Sequence, residues 1–218
     1  MARRIAILFL ASVLVPLPAF AQTQEIGPVL TCDGPISGKA SHASLAKAFG
    51  ARNVSSRKLS IGEGETEQGT VLFASDPARR IEILWTDRAK RSNPRMAIFG
   101  RTSDASAAPP AYRWRIAARS EAKPLSLRQS LTQVEAINGR AFELAGFDWD
   151  YSGTVSDWRG GTLDAPPGGC RMLVRFAAAK TAPGAAQDAV SGDQAFSSDD
   201  PKMRAVSPAI YELGFTWE

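Results

Sequence analysis

The 218-residue chain holds a single histidine and only two cysteines. Any Ser–His–Asp machinery would have to use His42, which stands beside Ser41 and close to Ser44. A serine next to a histidine in sequence is not a triad, because the three groups must converge in space. His42 therefore reads as a surface or capping-turn residue. One imidazole and two cysteines cannot supply the ligand set of a zinc centre. There is no His-Glu-x-x-His, no glycine-rich phosphate loop and no Cys-x-x-Cys, so neither an enzyme activity nor a cofactor is expected.

Charge of one sign is also scarce. The formal net charge is +4, and Arg3 and Arg4 supply two of those charges. Such a balance gives no reason to expect a nucleic-acid partner. One basic cluster exists, with Arg79, Arg80, Arg88, Lys90, Arg91 and Arg95, but Asp87 and Pro94 interrupt it. It reads as a solvated strand end and loop, with a patch facing an anionic partner as the alternative.

Long apolar runs are absent except at the start. Arg3 and Arg4 precede an apolar stretch from Ile5 to Val15, Pro16 and Pro18 break it, and Ala19-Phe20-Ala21 has the small-x-small form of a cleavage site. Residues 1–21 are read as a cleaved signal peptide, which places the protein in the periplasm or outside the cell. No later segment approaches the roughly 20 apolar residues of a membrane span, so no transmembrane segment is expected in the mature chain. Gln22, not a cysteine, stands directly after Ala21, and Cys32 is too far downstream to serve, so a lipid anchor there is not expected. In an exported chain Cys32 and Cys170 are expected to form a disulfide.

The composition is otherwise that of an ordinary globular chain, with 44% hydrophobic and 22% charged residues. Residues 22–40 read as an extended lead-in. A helix is expected from Ser41 to Phe49, capped by Ser41 and ended by Gly50. Strands follow at Asn53–Ile61, Gly69–Ala74, Arg80–Trp85 and Met96–Phe99, with turns at Asp76-Pro77 and Asn93-Pro94. Residues 102–111 read as a linker. Beyond it, Tyr112–Ala117 is strand-like and Leu125–Ile137 helical. Phe142–Phe147, Thr154–Trp158, Met172–Phe176 and Pro208–Trp217 are strand-like. Residues 178–200, rich in Ala, Gly, Ser and Asp, read as a flexible insertion.

Each half has a helix ending in glycine (Gly50 and Gly139), and each has a Gly-Thr-Val run (Gly69-Thr70-Val71 and Gly153-Thr154-Val155). The expected fold is α+β, with two similar modules at 41–101 and 112–218, each a helix packed on an antiparallel sheet. The segment from Ser126 to Arg140, with Leu127, Leu131, Val134, Ile137 and Asn138-Gly139, resembles the tandem modules of β-lactamase-inhibitor-protein-like and SmpA/OmlA-like envelope proteins. That resemblance implies helices on an antiparallel sheet and a concave or exposed face that binds another protein. No binding residue carries over from it.

The sharpest local motif is Asp148-Trp149-Asp150-Tyr151-Ser152-Gly153-Thr154-Val155. It matches the opening of a calcium loop, with oxygen ligands from Asp148, Asp150 and Ser152 and a turn glycine, although Arg159 occupies the position of the closing glutamate. Asp157 is the alternative closing ligand. A β-hairpin turning at Ser152-Gly153 is the simpler reading, with Phe147, Trp149 and Tyr151 alternating onto one face. Acids beside Trp149 and Trp158 would also suit a glycan or a glycosidase-like carboxyl pair. Trp149 and Trp158, near the expected turn, are the candidate anchors for a partner, since tryptophan is favoured at binding hot spots. The expectation is a non-catalytic envelope protein that binds another envelope or secreted protein through a sheet face. The alternatives are a calcium- or glycan-binding module centred on residues 147–159 and, third, a hydrolase.

Overall fold

The structure, a computed structural model, describes residues 28–100 and 112–217. The expected signal peptide (residues 1–21), residues 22–27 and the expected linker (102–111) lie outside the described residues. Among the described residues no helix is long and apolar enough to cross a membrane.

The protein is α+β. Its main sheet has six antiparallel strands in the order β2-β3-β4-β5-β11-β9. These are β2 (Val54–Gly62), β3 (Glu65–Leu72), β4 (Ile81–Asp87), β5 (Ser92–Ile98), β9 (Arg171–Ala177) and β11 (Ala209–Thr216). A second sheet has β7 (Glu143–Ala145) between β10 (Ala195–Ser197) and β8 (Val155–Asp157). A two-residue parallel pair joins β1 (Val29–Leu30) to β6 (Arg115–Ile116).

Helix α1 (His42–Phe49) forms where the sequence signals it. Ser41 and Ser44 exchange side-chain and backbone hydrogen bonds in a capping box, and Gly50 ends the helix at φ +86°. In the second half, α2 (Leu131–Asn138) is shorter than its apolar spacing suggests. Its own capping box, Ser130 with Gln133, sets the start, and Gly139 closes it in the left-handed region. Upstream, Leu125 pairs with Ile116 in a bridge, and Arg128 has φ +70°, which no helix tolerates.

Three further expectations differ from the fold. Asn93-Pro94 is no turn: the chain turns at residues 88–91, and Pro94 lies inside β5 opposite Trp85. The register shifts there, leaving Arg95 as the extra residue of a bulge, which is where a strand accepts proline. Residues 178–200 fold into α3 (Gly184–Asp188) and β10, and they bury Val190 and Phe196 before α4 (Pro201–Ala205) begins. The main sheet also runs across the boundary between the two expected modules, because β5 pairs with β11. Gly69–Val71 lies inside β3, whereas Gly153–Val155 enters β8 of the other sheet.

One core follows from this topology. Leu45, Ile83, Trp85 and Phe99 from the first half pack in the same cluster as Phe142, Leu144, Val174 and Phe215 from the second. Alternation along β4 explains its share, since Ile81, Ile83 and Trp85 are all fully buried. A small second cluster of Leu59, Val71 and Leu84 covers the other sheet face. Beside it on β3, Glu67 accepts two hydrogen bonds from Arg95, at 2.7 and 3.1 Å, and an ion pair from Arg88 at 2.8 Å. The rest of the basic cluster is also engaged. Arg79 pairs with Asp76, Arg80 with Glu82 and Lys90 with Asp87, and Arg91 donates to Ser56.

Candidate functional site

The two sheets touch at one bridge, Thr154 opposite Arg175. β8 is the last strand of the small sheet and β9 the last of the large one. Beyond the bridge a half-open groove of about 1100 Å³ is lined by both edges, Val155–Asp157 on one side and Arg171–Leu173 on the other. That volume lies just above the usual range of about 300–1,000 Å³ for small-molecule sites.

Three elements shape the groove. The first is the loop of residues 146–154 that joins β7 to β8. The strands do form an antiparallel hairpin, but the predicted alternation stops at Phe147, which is buried, and the chain then turns instead of extending. The turn is held by Ser152 N–H to Trp149 C=O and by Thr154 N–H to Tyr151 C=O, both at 2.8 Å. Gly153 has φ +64°, and a Cβ there would collide with the Phe176 backbone carbonyl, so only glycine fits the junction of the sheets. Arg175 ties the loop down from β9, donating to the Ser152 and Asp150 carbonyls at 3.3 and 3.4 Å. Its guanidinium also lies over the Tyr211 ring at 5.6 Å.

The second element is the wall of residues 158–170. Asn138, the buried last residue of α2, donates to the Trp158 carbonyl at 3.0 Å and accepts from Leu163 N–H at 3.2 Å. Gly161 packs so closely that a Cβ would strike the Asn138 amide. The third element is the disulfide. Cys32 and Cys170 are bonded, with Cα atoms 6.0 Å apart, and Cys170 itself lines the groove. The bond fastens the amino-terminal segment under the point where the wall enters β9.

Two aromatics stand out at the rim. Trp149 is 58% exposed and Tyr151 74%, and the only other large hydrophobic so exposed among the described residues is Ile61. Trp158 is different from its expected role. It lines the groove but is 7% exposed, packed against Phe142 at 5.1 Å between ring centroids, so it serves the wall and not the surface. Tyr151, not Trp158, shares the exposure of Trp149, because the chain leaves the strand at Asp148, where φ is +68°.

The calcium reading finds no ligand set. Among the described residues no three His, Cys, Asp or Glu side chains gather as a metal site. Ser152 Oγ accepts from Asp148 N–H, and Asp157 accepts from Arg159 N–H at 2.6 Å. Asp148, Asp150, Ser152 and Asp157 therefore share a loop and strand without converging.

His42 lies outside the groove lining. Its Nδ1 is 2.8 Å from Thr70 Oγ1, and that oxygen also accepts the buried Trp85 indole N–H at 3.0 Å. With the indole proton directed at the hydroxyl oxygen, the hydroxyl proton is free to bond a neutral imidazole. Burial, and then the nearby Arg91 charge, lower the pKa of His42.

No family model, curated protein or solved structure matches this chain. What the site does has to be read from its own residues.

Proposed function

We propose that the chain is an exported, non-catalytic binding protein of the bacterial envelope, and that it recognises another protein at the groove between the two sheet edges. The observation that carries this reading is the exposure of Trp149 and Tyr151 together at the rim of the groove. Large aromatics left in water contribute little to the fold, and they are the residue types that dominate binding hot spots. The disulfide, the apolar amino terminus of the sequence and the resemblance of residues 126–140 to envelope-protein modules support export and a protein partner.

Recovery from periplasmic and envelope extracts tests it, with oxidised residues 22–218 as bait beside a Trp149→Ala, Tyr151→Ala variant. A partner retained by the first bait and lost by the folded variant is the expected result. A partner held equally by both would move the site elsewhere, and no specific partner would overturn the reading.

A second reading has its own observation. Asp150 and Asp157 are exposed beside the same aromatics, an arrangement that suits a sugar ring and its hydroxyls. A glycan array probed with both proteins separates the two.

A further inference from the structure

We infer that the occupant of the groove is an extended, basic polypeptide segment that adds to the free edge of β9 as a short strand. The inference rests on the proposed binding role and names the chemistry of its partner.

The backbone directions carry it. In an antiparallel strand, alternate residues turn their N–H and C=O to the same side. On β9 the side facing away from β11 is marked at both ends. Phe176 N–H donates to Gly153 C=O at 2.8 Å, and Cys170 N–H, just before the strand, points at Cys32 Sγ at 3.0 Å. By the same two-residue period, Val174 and Met172 turn outward too. Val174 lies next to the Thr154–Arg175 bridge, where β8 is still close. Met172 lies further along, where β9 lines the open groove. Its backbone groups are aimed into the groove of about 1100 Å³. Strand addition at such an edge supplies main-chain hydrogen bonds, and neighbouring pockets select the side chains.

The edge has few of the usual defences. Proteins discourage edge pairing with lysine, proline, bulges or covering loops. On the groove-lining part of β9, Arg171-Met172-Leu173, Arg171 is the one charged residue, and the β9 side of its ladder with β11 is regular.

Charge chooses the partner. The ionisable residues lining the groove are Asp150, Asp157, Asp164 and Asp193 against Arg171. All four aspartates are exposed. The groove is thus acidic on a chain whose net charge is +4, the opposite of what the whole molecule would present. A segment carrying lysine or arginine at alternate positions would match the aspartates while its backbone ran along β9, and Trp149 and Tyr151 would cover its end. Complementary charge of this kind raises association rates and selects partners.

The test uses the oxidised mature protein and a displayed library of random peptides roughly ten residues long, enough to run the groove as an extended strand at about 3.3 Å per residue. Enriched peptides should carry an excess of Lys and Arg and protect the Met172 amide, the one of Arg171–Leu173 that faces away from β11, from hydrogen exchange. N-methylation of a best binder at alternate amides should weaken it by about tenfold or more. Asp150→Asn with Asp193→Asn should weaken it about tenfold and flatten its salt dependence. Melting curves check that this variant folds. Binders that need Trp149 and Tyr151 but are acidic, or that tolerate N-methylation, would overturn strand addition while leaving the binding groove intact. An absence of any groove-dependent peptide, with glycans bound instead, would overturn the protein-partner reading as well.

Discussion

Thr154 and Arg175 face each other across the only bridge that the described residues make between the edges of the two sheets. On one side of that bridge the sheets are tied by the Gly153–Phe176 hydrogen bond, and on the other they part to form the groove. The residues that hold this junction are therefore the ones whose replacement should be felt both in stability and at the site.

The disulfide is the longest such tie. It spans 138 residues of sequence, and in the chain-entropy picture a cross-link of that length restricts the unfolded chain by about 5 kcal/mol. Cys32→Ser with Cys170→Ser should lower stability by about 2–5 kcal/mol in urea titration. Because Cys170 lines the groove, ligand affinity should fall in the reduced protein before global unfolding does.

Asn138 is the inner pin of the wall. Asn138→Ala removes the donor to the Trp158 and Arg140 carbonyls and the acceptor for Leu163 N–H, with the Trp158 and Leu163 bonds buried and the Arg140 bond half-buried. A loss of about 2–3 kcal/mol is expected, the cost of leaving buried backbone groups unpaired. Amide exchange at residues 158–164 should quicken more than exchange in the main sheet. Asn138→Asp should not rescue it, because a carboxylate cannot donate to the two carbonyls.

Trp149 and Tyr151 should behave in the opposite way. Both are mostly in water, so Trp149→Ala with Tyr151→Ala should change stability by no more than about 0.5 kcal/mol per site. The Trp158→Ala variant, which empties a buried site against Phe142, should cost about 3–5 kcal/mol. Comparing the two melting curves distinguishes a surface retained for binding from one retained for packing.

Glu67 and Arg88 separate a buried charge from an exposed one. The Glu67 side chain is 6% accessible and serves both Arg95 and Arg88, whereas the Arg88 side chain is 66% accessible. Glu67→Gln should cost about 1–3 kcal/mol, and Arg88→Ala less than about 1 kcal/mol. A double-mutant cycle with Arg95→Ala should show coupling at Glu67.

His42 gives stability a pH dependence. Its folded pKa lies below the ordinary imidazole value of 6.5, chiefly through burial and then through Arg91. Below that value the unfolded chain takes up a proton that the native state resists, so stability should decline as pH falls from 6.5. Above it the contribution is constant. His42→Gln should flatten the slope between pH 6.5 and the range in which carboxylates titrate.

Local signals in the chain were legible where they were complete. Ser41 with Gly50 bracketed α1, and the alternation of Ile81, Ile83 and Trp85 marked β4 and its buried face. They misled where a short pattern had two meanings. Leu125 and Leu127 keep helical spacing with α2, yet Ser130 and Gln133 carry the cap and Leu125 joins a bridge. Trp149 and Tyr151 alternate like strand residues, but Asp148 takes a left-handed turn and swings both into water. For the candidate site, the sequence marked Trp149 and the surrounding acids. Asp164, Met172 and Asp193 lie 15 to 44 residues from Trp149 in sequence, and no spacing rule joins them.

The sequence by itself determined the short-range features, because caps, alternation and turn glycines act within a few residues: the α+β class, α1, the strand runs and the availability of one cysteine pair. Only the tertiary structure decided that β5 would pair with β11 and join both halves in one sheet and one core. It also decided that β8 and β9 would end their sheets side by side and leave a groove between them. Those outcomes depend on which strand edges meet, and that is settled by burying the apolar faces of distant segments together, a balance no local window of the chain contains.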